Sequence, residues 1–344
     1  MRCLGKWAQV LTVAAVLGLC SPLAAANELR SQLDIRPNNR TEGLPRDVAD
    51  QLLRLGGSQE AAGQYQQAIN SWSQALAIYQ EIGDMAASGI AYDYIGLTYG
   101  NLGRYVEAED ALRRRLAVAR DNADFQGQVF GWNNLGSIFI QRGDVGLAQT
   151  AFTEALTIAR SLNSYQGIGL SLSNLALVAT ARGNAQEAVK LYESAANYRF
   201  RGGDRLGEAN TLNGLGDAYR SLFQMSDAIG AYRLALRSGR ELGDLAIQLR
   251  AIDGLLAIYL NRGDLQDART LLDQRVALTA GQADQWQQLN TLRLLGEYYE
   301  QIGERELAKN FYEQALAIAQ RLEDSQAVVF LNNRLLDLSS ALSD

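Results

Sequence analysis

The stretch from Phe130 to Ala159, FGWNNLGSIFIQRGDVGLAQTAFTEALTIA, contains two apolar runs on either side of Gly143. In each run, apolar residues recur every three to four positions, which is the spacing of one face of a helix. Glycine ends a helix at little cost because it adopts the left-handed backbone conformation freely. The stretch therefore predicts two amphipathic antiparallel helices joined by a tight turn.

The same pattern recurs with a step of 40 residues along the chain. Aliphatic residues follow this step at Leu55, Ile95, Leu135, Leu175, Leu215, Leu255, Leu295 and Leu335, and alanine follows it at Ala68, Ala108, Ala148, Ala188, Ala228, Ala268 and Ala308. One such unit cannot bury its apolar face alone, so neighbours must stack to form a core. The period predicts an all-α solenoid.

Small residues and turn residues predict how the helices of each unit meet. Glycine or alanine follows the periodic aliphatic residue in six units, which favours close helix crossing, and Leu256 is the exception. We expect the sixth unit to be splayed or repacked locally. Phe223 replaces the glycine of the inner turn in the fifth unit. Aspartates between repeats are predicted to cap the next helix, as at Asp84, Asp124, Asp204, Asp244, Asp284 and Asp324.

Composition excludes several kinds of site. The chain has 344 residues, a net charge of -6 and no histidine, so His-based acid/base chemistry, catalytic triads and His-ligated metals are excluded. Its arginines alternate with acidic residues, which does not favour nucleic acid as a partner. Both cysteines, Cys3 and Cys20, lie near the amino terminus. We therefore predict no catalytic residue, no cofactor and no metal site.

Residues 1–26 have the features of a secretory signal peptide: Arg2 and Lys6, then an apolar run, then the small residues Ala24 to Ala26. We expect cleavage after Ala26. The alternative is an uncleaved anchor, although the apolar run is short of the ~20 residues that a spanning helix needs. An exported protein is thus expected, periplasmic or secreted, or in the thylakoid lumen of a photosynthetic bacterium, with no membrane span after cleavage.

The predicted domain boundaries follow the repeat. Residues 27–46 form a polar linker, and residues 47–344 form the solenoid. Its seven helix-turn-helix units span about 47–84, 85–124, 125–164, 165–204, 205–244, 245–284 and 285–324. A final helix at 325–343 is predicted to cap the array.

The pair Leu135-Gly136 before Phe139, followed by Gly143 and Ala148, resembles the tetratricopeptide repeat. The resemblance covers seven repeats, roughly residues 47 to 324. These units exceed the usual length of about 34 residues and lack the usual proline, so their second helices are expected to be longer. The stretch from Gly203 to Gly243 resembles the longer repeats of animal G-protein-modulating scaffolds and bacterial homologues, and kinesin light chains look like more distant relatives.

The resemblance implies a right-handed superhelix whose first helices line a concave groove for a peptide or helical segment of another protein. On this sequence the groove is expected to include Asp93, Asn101, Asn133, Asn134, Ser137, Gln141, Ser173, Asn174, Asn210, Asn213, Asp217, Arg220, Arg250, Asp253, Arg293 and Glu297. A carboxamide suits a peptide backbone because it both donates and accepts hydrogen bonds. Alternatively, Asn133, Asn134 and Asn174 solvate an inner helix face or bond between neighbouring repeats. If they are exposed, replacing them costs little folding energy.

Other candidate contacts have structural alternatives. The three groove arginines could bind a carboxylate of a partner, but acidic residues lie close to each of them in sequence, and internal pairing is favoured: Asp217, Asp253 and Glu297 are the candidates. Phe223 and Met225 form either an exposed contact point or a loop in which Phe223 is tucked under the next repeat, and we expect the second. The helical positions of Trp72, Trp132 and Trp286 predict packing in the core or between repeats.

The sequence therefore favours a non-enzymatic scaffold for protein binding outside the cytoplasm. A peptide- or ligand-responsive regulatory sensor is the alternative, and a hydrolase that uses carboxylates alone is the least favoured class. The repeat encodes the shape of a binding surface and neither the identity of the partner nor the oligomeric state.

Overall fold

A computed structural model of the protein describes residues 44–281 and 284–340, which form fifteen α-helices and no strand. The helices are α1 (Leu44–Ala61), α2 (Tyr65–Glu81), α3 (Met85–Asn101), α4 (Tyr105–Asp121), α5 (Phe125–Arg142), α6 (Val145–Ser161), α7 (Tyr165–Ala181), α8 (Ala185–Arg201), α9 (Arg205–Ser221), α10 (Met225–Leu242), α11 (Leu245–Arg262), α12 (Leu265–Thr279), α13 (Gln285–Gln301), α14 (Arg305–Arg321) and α15 (Ser325–Ser340). The predicted all-α fold of paired helices is confirmed.

The helices belong to two compact units, one ending at Ala218 and the other beginning at Tyr219. Consecutive helices pack against one another from α1 to α8 in the first unit and from α10 to α15 in the second. The first helices of adjacent repeats also touch, α3 with α5 and α5 with α7 in the first unit, and α11 with α13 in the second. The repeats that lie within one unit are thus held by their own hairpins and by their neighbours, as a repeat architecture requires.

The turns have the predicted backbone conformations. The glycines of the inner turns have positive φ angles, from 71° at Gly103 to 90° at Gly143. Aspartates cap the helices after the turns between repeats: the backbone N–H groups of Ala87 and Gly127 donate to Asp84 at 3.0 Å and to Asp124 at 2.8 Å. Asp204, Asp244, Asp284 and Asp324 accept equivalent bonds. The capping prediction is confirmed at all six positions.

Close crossing of the two helices in a repeat depends on the predicted small residues. A Cβ atom at Gly136 would overlap the ring of Phe152, and one at Gly296 would lie 2.5 Å from the ring of Tyr312. In the sixth repeat Leu256 is fully buried, and the residue equivalent to Phe152 is the smaller Leu272, also fully buried. The sixth repeat is therefore repacked, with one leucine on each helix where the third and seventh repeats place a glycine opposite an aromatic ring.

The predicted tryptophan environments hold for two of three residues. Trp72 is fully buried in the core of the first unit, and Trp132 is partly buried against a cluster that includes Leu135 and Phe152. The prediction is wrong for Trp286, which is 46% exposed. It lies in the first turn of α13, two residues after the capping Asp284, where the apolar spacing is preserved but nearly half of the side chain is exposed.

The terminal predictions are only partly covered by the described residues. The predicted signal peptide, residues 1–26, lies outside them, as does the predicted linker up to residue 43. Helix α1 begins at Leu44, so the last three residues of that linker are helical. The predicted capping helix corresponds to α15 as far as Ser340. Among the described helices, none combines the length and the apolar character needed to cross a membrane.

Candidate functional site

Six predicted groove residues are buried: Asp93, Asn133, Asn134, Ser173, Asn174 and Asn213. They lie on α3, α5, α7 and α9. The sequence placed these side chains on an open groove, but α3, α5 and α7 pack side by side and enclose those of the second, third and fourth repeats between them. This placement corrects the prediction, because a residue between two packed helices is not accessible to a ligand.

Asparagines on α5 link three successive repeats. The Nδ2 of Asn134 donates to Oδ1 of Asp93 on α3 at 2.8 Å. The Nδ2 of Asn133 donates to Ser171 on α7 at 3.0 Å, and its Oδ1 accepts from Asn174 on α7 at 2.9 Å. The alternative that these carboxamides bond between neighbouring repeats is confirmed. We call Asp93, Asn133, Asn134 and Asn174 the buried ladder.

An ion pair anchors one end of the buried ladder. The Nε of Arg115, on α4, donates to Oδ2 of Asp93 at 2.9 Å, and both side chains are buried. Burial raises the pKa of the Asp93 carboxyl, while Arg115 and Asn134, which favour the charged form, lower it. Glycines provide the space for the guanidinium, since a Cβ at Gly89 would lie 2.6 Å from Nη1 and one at Gly127 would overlap Nη2.

The second unit contains the same pair. The Nε of Arg275, fully buried on α12, donates to Asp253 at 2.6 Å, and Asn290 donates to the other oxygen of Asp253 at 2.9 Å. Sequence reasoning missed these arginines, although the repeat itself carries the signal. The other five units have alanine where Arg115 and Arg275 stand, and aspartate occupies the position of Asp93 only in these two units.

The remaining predicted groove residues are partly exposed. In the first unit they are Asn101, Ser137, Gln141, Asn210 and Asp217; in the second they are Arg220, Arg250, Asp253, Arg293 and Glu297. We call Ser137, Gln141, Asn210 and Asp217 the first-helix row. These four side chains lie on α5 and α9, and the hydroxyl of Ser137 bonds only within α5, to the carbonyl of Asn133 at 3.0 Å. The row is part of the polar surface that the first helices of this unit leave accessible.

The predicted internal pairing of the groove arginines is confirmed for Arg293. Arg293 donates to Glu297 and, at 2.6 Å, to Asn290. Arg220 and Arg250 also interact with neighbouring groups. The arginine side chains are therefore engaged within the protein and are not preset to receive a carboxylate.

Phe223 is 81% exposed, so the prediction that it is tucked under the next repeat is wrong. Its φ of 59° places it in the left-handed region that glycine occupies in the other inner turns. A side chain at this position, just past the end of a helix, points away from the hairpin. Met225 begins α10 and is half-buried.

A cavity of about 710 Å³ lies apart from the first-helix row, beside the start of α1. It is lined by the turns before α3 and α5 and by Pro45, Ile82 and Val118. Its charged groups are paired with one another, since Arg46 bonds to Asp84 and Asp124 lies 3.4 Å from Arg115. The pairing leaves the cavity without a free charge to select a ligand.

Family models support the repeat assignment. A tetratricopeptide repeat model matches residues 47–121, 130–199 and 167–241, and a second tetratricopeptide repeat model matches residues 292–321. No curated protein matches the chain in sequence.

Solved structures share the fold at low sequence identity. BtubC (BKLC) from P. vanneervenii is 21% identical with a TM-score of 0.55, covering 64% of this chain and 90% of its own. A Rap protein complexed with Competence and Sporulation Factor is 16% identical with a TM-score of 0.57, covering 92% and 79%. A Signal Transduction ATPase with Numerous Domains from Pyrococcus horikoshii, which has a tetratricopeptide repeat sensor, is 13% identical with a TM-score of 0.62, covering 83% and 44%. With the matched repeats extending over more than half of its length, this chain belongs to the tetratricopeptide repeat family.

Proposed function

We propose that the protein is a non-enzymatic scaffold that binds a peptide or helical segment of another protein outside the cytoplasm. Membership in the tetratricopeptide repeat family supports the protein-binding role. The signal-like sequence of residues 1–26 supports the location. The first-helix row carries the proposal for the binding surface, because its side chains are polar, partly exposed and on the helices that the fold uses for binding.

The buried ladder and the arginine pairs support a non-enzymatic role. Asp93 and Asp253 each accept bonds from an arginine and an asparagine. A carboxylate held in this way stabilises a repeat interface and is not available to transfer a proton. The first-helix row adds only Asp217, without a second carboxylate beside it on α9 within one helical turn.

Site-specific photocrosslinking tests the binding surface. A photoreactive amino acid is introduced at Ser137 or Gln141 in the full chain, and at Thr153 or Glu154 on the exposed face of α6 as the matched control. We expect a partner to be crosslinked in the exported fraction from Ser137 and Gln141 and not from the control positions. Equal crosslinking from both faces, or crosslinking from α6 alone, would contradict the assignment of the first-helix row.

The proposed location has its own test. Cell fractionation and sequencing of the amino terminus are expected to yield an exported chain that begins at Asn27. An intact amino terminus in the membrane fraction would support the anchor alternative. An intact, cytoplasmic chain would refute export.

A sensor is the second candidate function. Two proteins with the same fold favour it: one is a Rap protein complexed with Competence and Sporulation Factor, and the other has a tetratricopeptide repeat sensor. A sensor changes shape when its ligand binds, whereas a rigid scaffold does not. Small-angle scattering of the protein with and without the segment identified by crosslinking separates the two, because only a sensor changes its radius of gyration by more than the added mass explains.

A further inference from the structure

Phe223 combines a strained backbone with an exposed aromatic ring. Its φ of 59° lies in the left-handed region, where the other inner turns have glycine. The further non-glycine residues with positive φ among the described residues are not aromatic: Ala123, Asn163 and Glu323. At 81% exposure, Phe223 is also the most exposed aromatic residue in the described part of the chain, ahead of Phe200 at 60%. Strained residues are concentrated at functional sites, and this strain supports a ring that the core does not use.

The turn itself does not require phenylalanine. The backbone N–H of Phe223 donates to the carbonyl of Arg220 at 3.0 Å, as that of Gly143 donates to Ile140 at 3.0 Å in the third repeat. Because the two turns share this bond, glycine would make the turn of the fifth repeat without strain. The reason for phenylalanine at this position therefore lies in its side chain.

The turn holds the ring in a fixed position. Helix α9 ends at Ser221 and α10 begins at Met225, so three residues join two long helices. The N–H of Gln224, directly after the ring, donates to the carbonyl of Tyr219 at 3.0 Å. Such a backbone leaves only the side-chain torsions of Phe223 to be ordered on binding, which lowers the entropy cost of a contact. Aromatic residues are enriched in protein–protein interfaces for this combination of area and rigidity.

The residues around the ring are uncharged. Ser221, Leu222 and Gln224 flank it in sequence, and Leu222 is partly buried. The nearest charged residues along the chain, Arg220 and Asp227, have opposite signs. A contact centred on the ring therefore depends on apolar area and shape, and salt is expected to affect it little.

A membrane and a second copy of this chain fit the ring less well than a different protein does. Attraction to anionic lipids uses clusters of Lys and Arg, whereas this chain has a net charge of -6. In a second copy, the cavity beside α1 has the ion pair of Arg46 and Asp84 in its wall. A phenyl ring in that cavity would cover the pair, which is still partly accessible, and offer no hydrogen bond in return.

We propose that Phe223 is an anchor that inserts into an apolar pocket of a different folded protein. The pocket is lined by aliphatic or aromatic side chains and has no charged group at its base, which matches the uncharged surroundings of the ring. This contact surface lies on the turn between α9 and α10 and does not involve the first-helix row.

Photocrosslinking identifies the protein with which the anchor is then tested. In cells that express the full chain, p-benzoylphenylalanine is introduced in place of Phe223 and, as the matched control, in place of Phe200. We expect the probe at Phe223 to be crosslinked to a protein that the probe at Phe200 does not reach. That protein is purified and titrated against the variants by calorimetry.

The affinities of the variants test the role of the ring. Phe223→Gly removes the ring and keeps the turn, and it is expected to weaken binding by at least about 30-fold, as for a residue that dominates an interface. Phe223→Leu keeps an apolar side chain and is expected to weaken binding by about 3- to 10-fold. Phe200→Ala removes an exposed ring from a regular helix and is expected to leave the affinity unchanged. Raising the NaCl concentration from about 0.05 to about 0.5 M is expected to change the wild-type affinity by less than about 3-fold.

Each other outcome overturns the proposal. Crosslinking to a second copy, to lipid, or to nothing beyond the control would exclude a different protein as the occupant. An affinity that is unchanged in Phe223→Gly would show that the ring is not the anchor, and a strongly salt-dependent affinity would assign the contact to charged residues. Circular dichroism shows whether each variant is folded, and Phe223→Leu decides the outcome if Phe223→Gly is not.

Discussion

At the residue scale, the protein buries polar side chains that the sequence pattern placed on an open groove. Asn133 is fully buried, and its amide donates to the carbonyl of Val129 at 2.8 Å as well as to Ser171. Ser137, one turn later on the same helix, donates its hydroxyl to the backbone carbonyl of Asn133. Two polar residues one turn apart on the same helix thus have different roles. Asn133 contributes to stability, and Ser137 lies at the accessible surface.

Replacing Asn133 therefore tests this division. Asn133→Ala leaves Asn174 and Ser171 without a partner in a buried interface, and we expect it to lower the free energy of unfolding by about 1–3 kcal/mol. Ser137→Ala, the control, is expected to change it by less than about 0.5 kcal/mol. Urea unfolding followed by circular dichroism measures both. Equal stability of the two variants would contradict the role of Asn133 between repeats.

The buried pair of Asp93 and Arg115 allows a second test at this scale. Arg115→Ala leaves the Asp93 charge buried without its main partner, and we expect a loss of about 3–5 kcal/mol. The first repeat has Leu53 and Ala75 at the two equivalent positions. Adding Asp93→Leu to Arg115→Ala copies that repeat, and the double variant is expected to be more stable than Arg115→Ala alone. A double variant that is less stable than the single one would show that Asp93 does not depend on the arginine.

At the element scale, the inner turn of every repeat has a glycine with a positive φ angle except the fifth, where Phe223 takes its place. Glycine occupies the inner turn in the other repeats because the backbone there is left-handed, a conformation that costs a residue with a Cβ roughly 1–2 kcal/mol. Phe223 accepts this strain while leaving its ring exposed. Because the ring is 81% exposed, little packing offsets this strain.

Phe223→Gly is therefore expected to stabilise the protein. Relief of the backbone strain exceeds the entropy that glycine loses on folding, for a net gain of about 0.5–1 kcal/mol. The reverse change, Gly143→Ala in the turn between α5 and α6, is expected to destabilise by about 1 kcal/mol. Thermal unfolding shows whether each variant is more or less stable than the wild-type protein. A loss of stability in Phe223→Gly would mean that the ring packs against the protein.

At the scale of the whole molecule, each compact unit contains a buried tyrosine whose hydroxyl donates to a carboxylate. The hydroxyl of Tyr79 donates to Asp50 at 2.6 Å, and that of Tyr312 donates to Glu300 at 2.8 Å. Burial, followed by the hydrogen bond to the carboxylate, raises the pKa of both tyrosines well above the ordinary value of 10.0. The stability of each unit thus includes a contribution from the protonated form of one tyrosine side chain.

Stability is accordingly expected to fall at alkaline pH. Below pH 10 neither the folded nor the unfolded chain ionises these tyrosines, and their contribution is complete. Above it the unfolded chain releases the protons and the folded chain retains them, so each group costs about 1.4 kcal/mol of stability per pH unit. Urea midpoints across this range measure the slope. The double variant Tyr79→Phe, Tyr312→Phe is expected to be less stable at neutral pH but to lose less above pH 10; an unchanged slope would contradict the assignment.

Sequence patterns alone were sufficient to predict the helices, their turns and their caps. These features depend on residues within one 40-residue unit, and the repeated copies confirm one another at Gly136, Gly143 and Asp124. Local rules are sufficient here because glycine conformation, capping and helical spacing involve only neighbours in the chain.

The accessibility of the polar residues on the first helices follows from tertiary packing. Asn133 and Ser137 both read as groove positions, but Asn133 is buried against Ser171 and Asn174 of α7, while Ser137 is partly exposed. Such packing depends on side chains from neighbouring repeats, including the glycines that make room for Arg115. Tertiary packing also determines the exposure of α15. Val329 and Leu336 fit the repeat pattern but are exposed, because no second helix packs on them among the described residues.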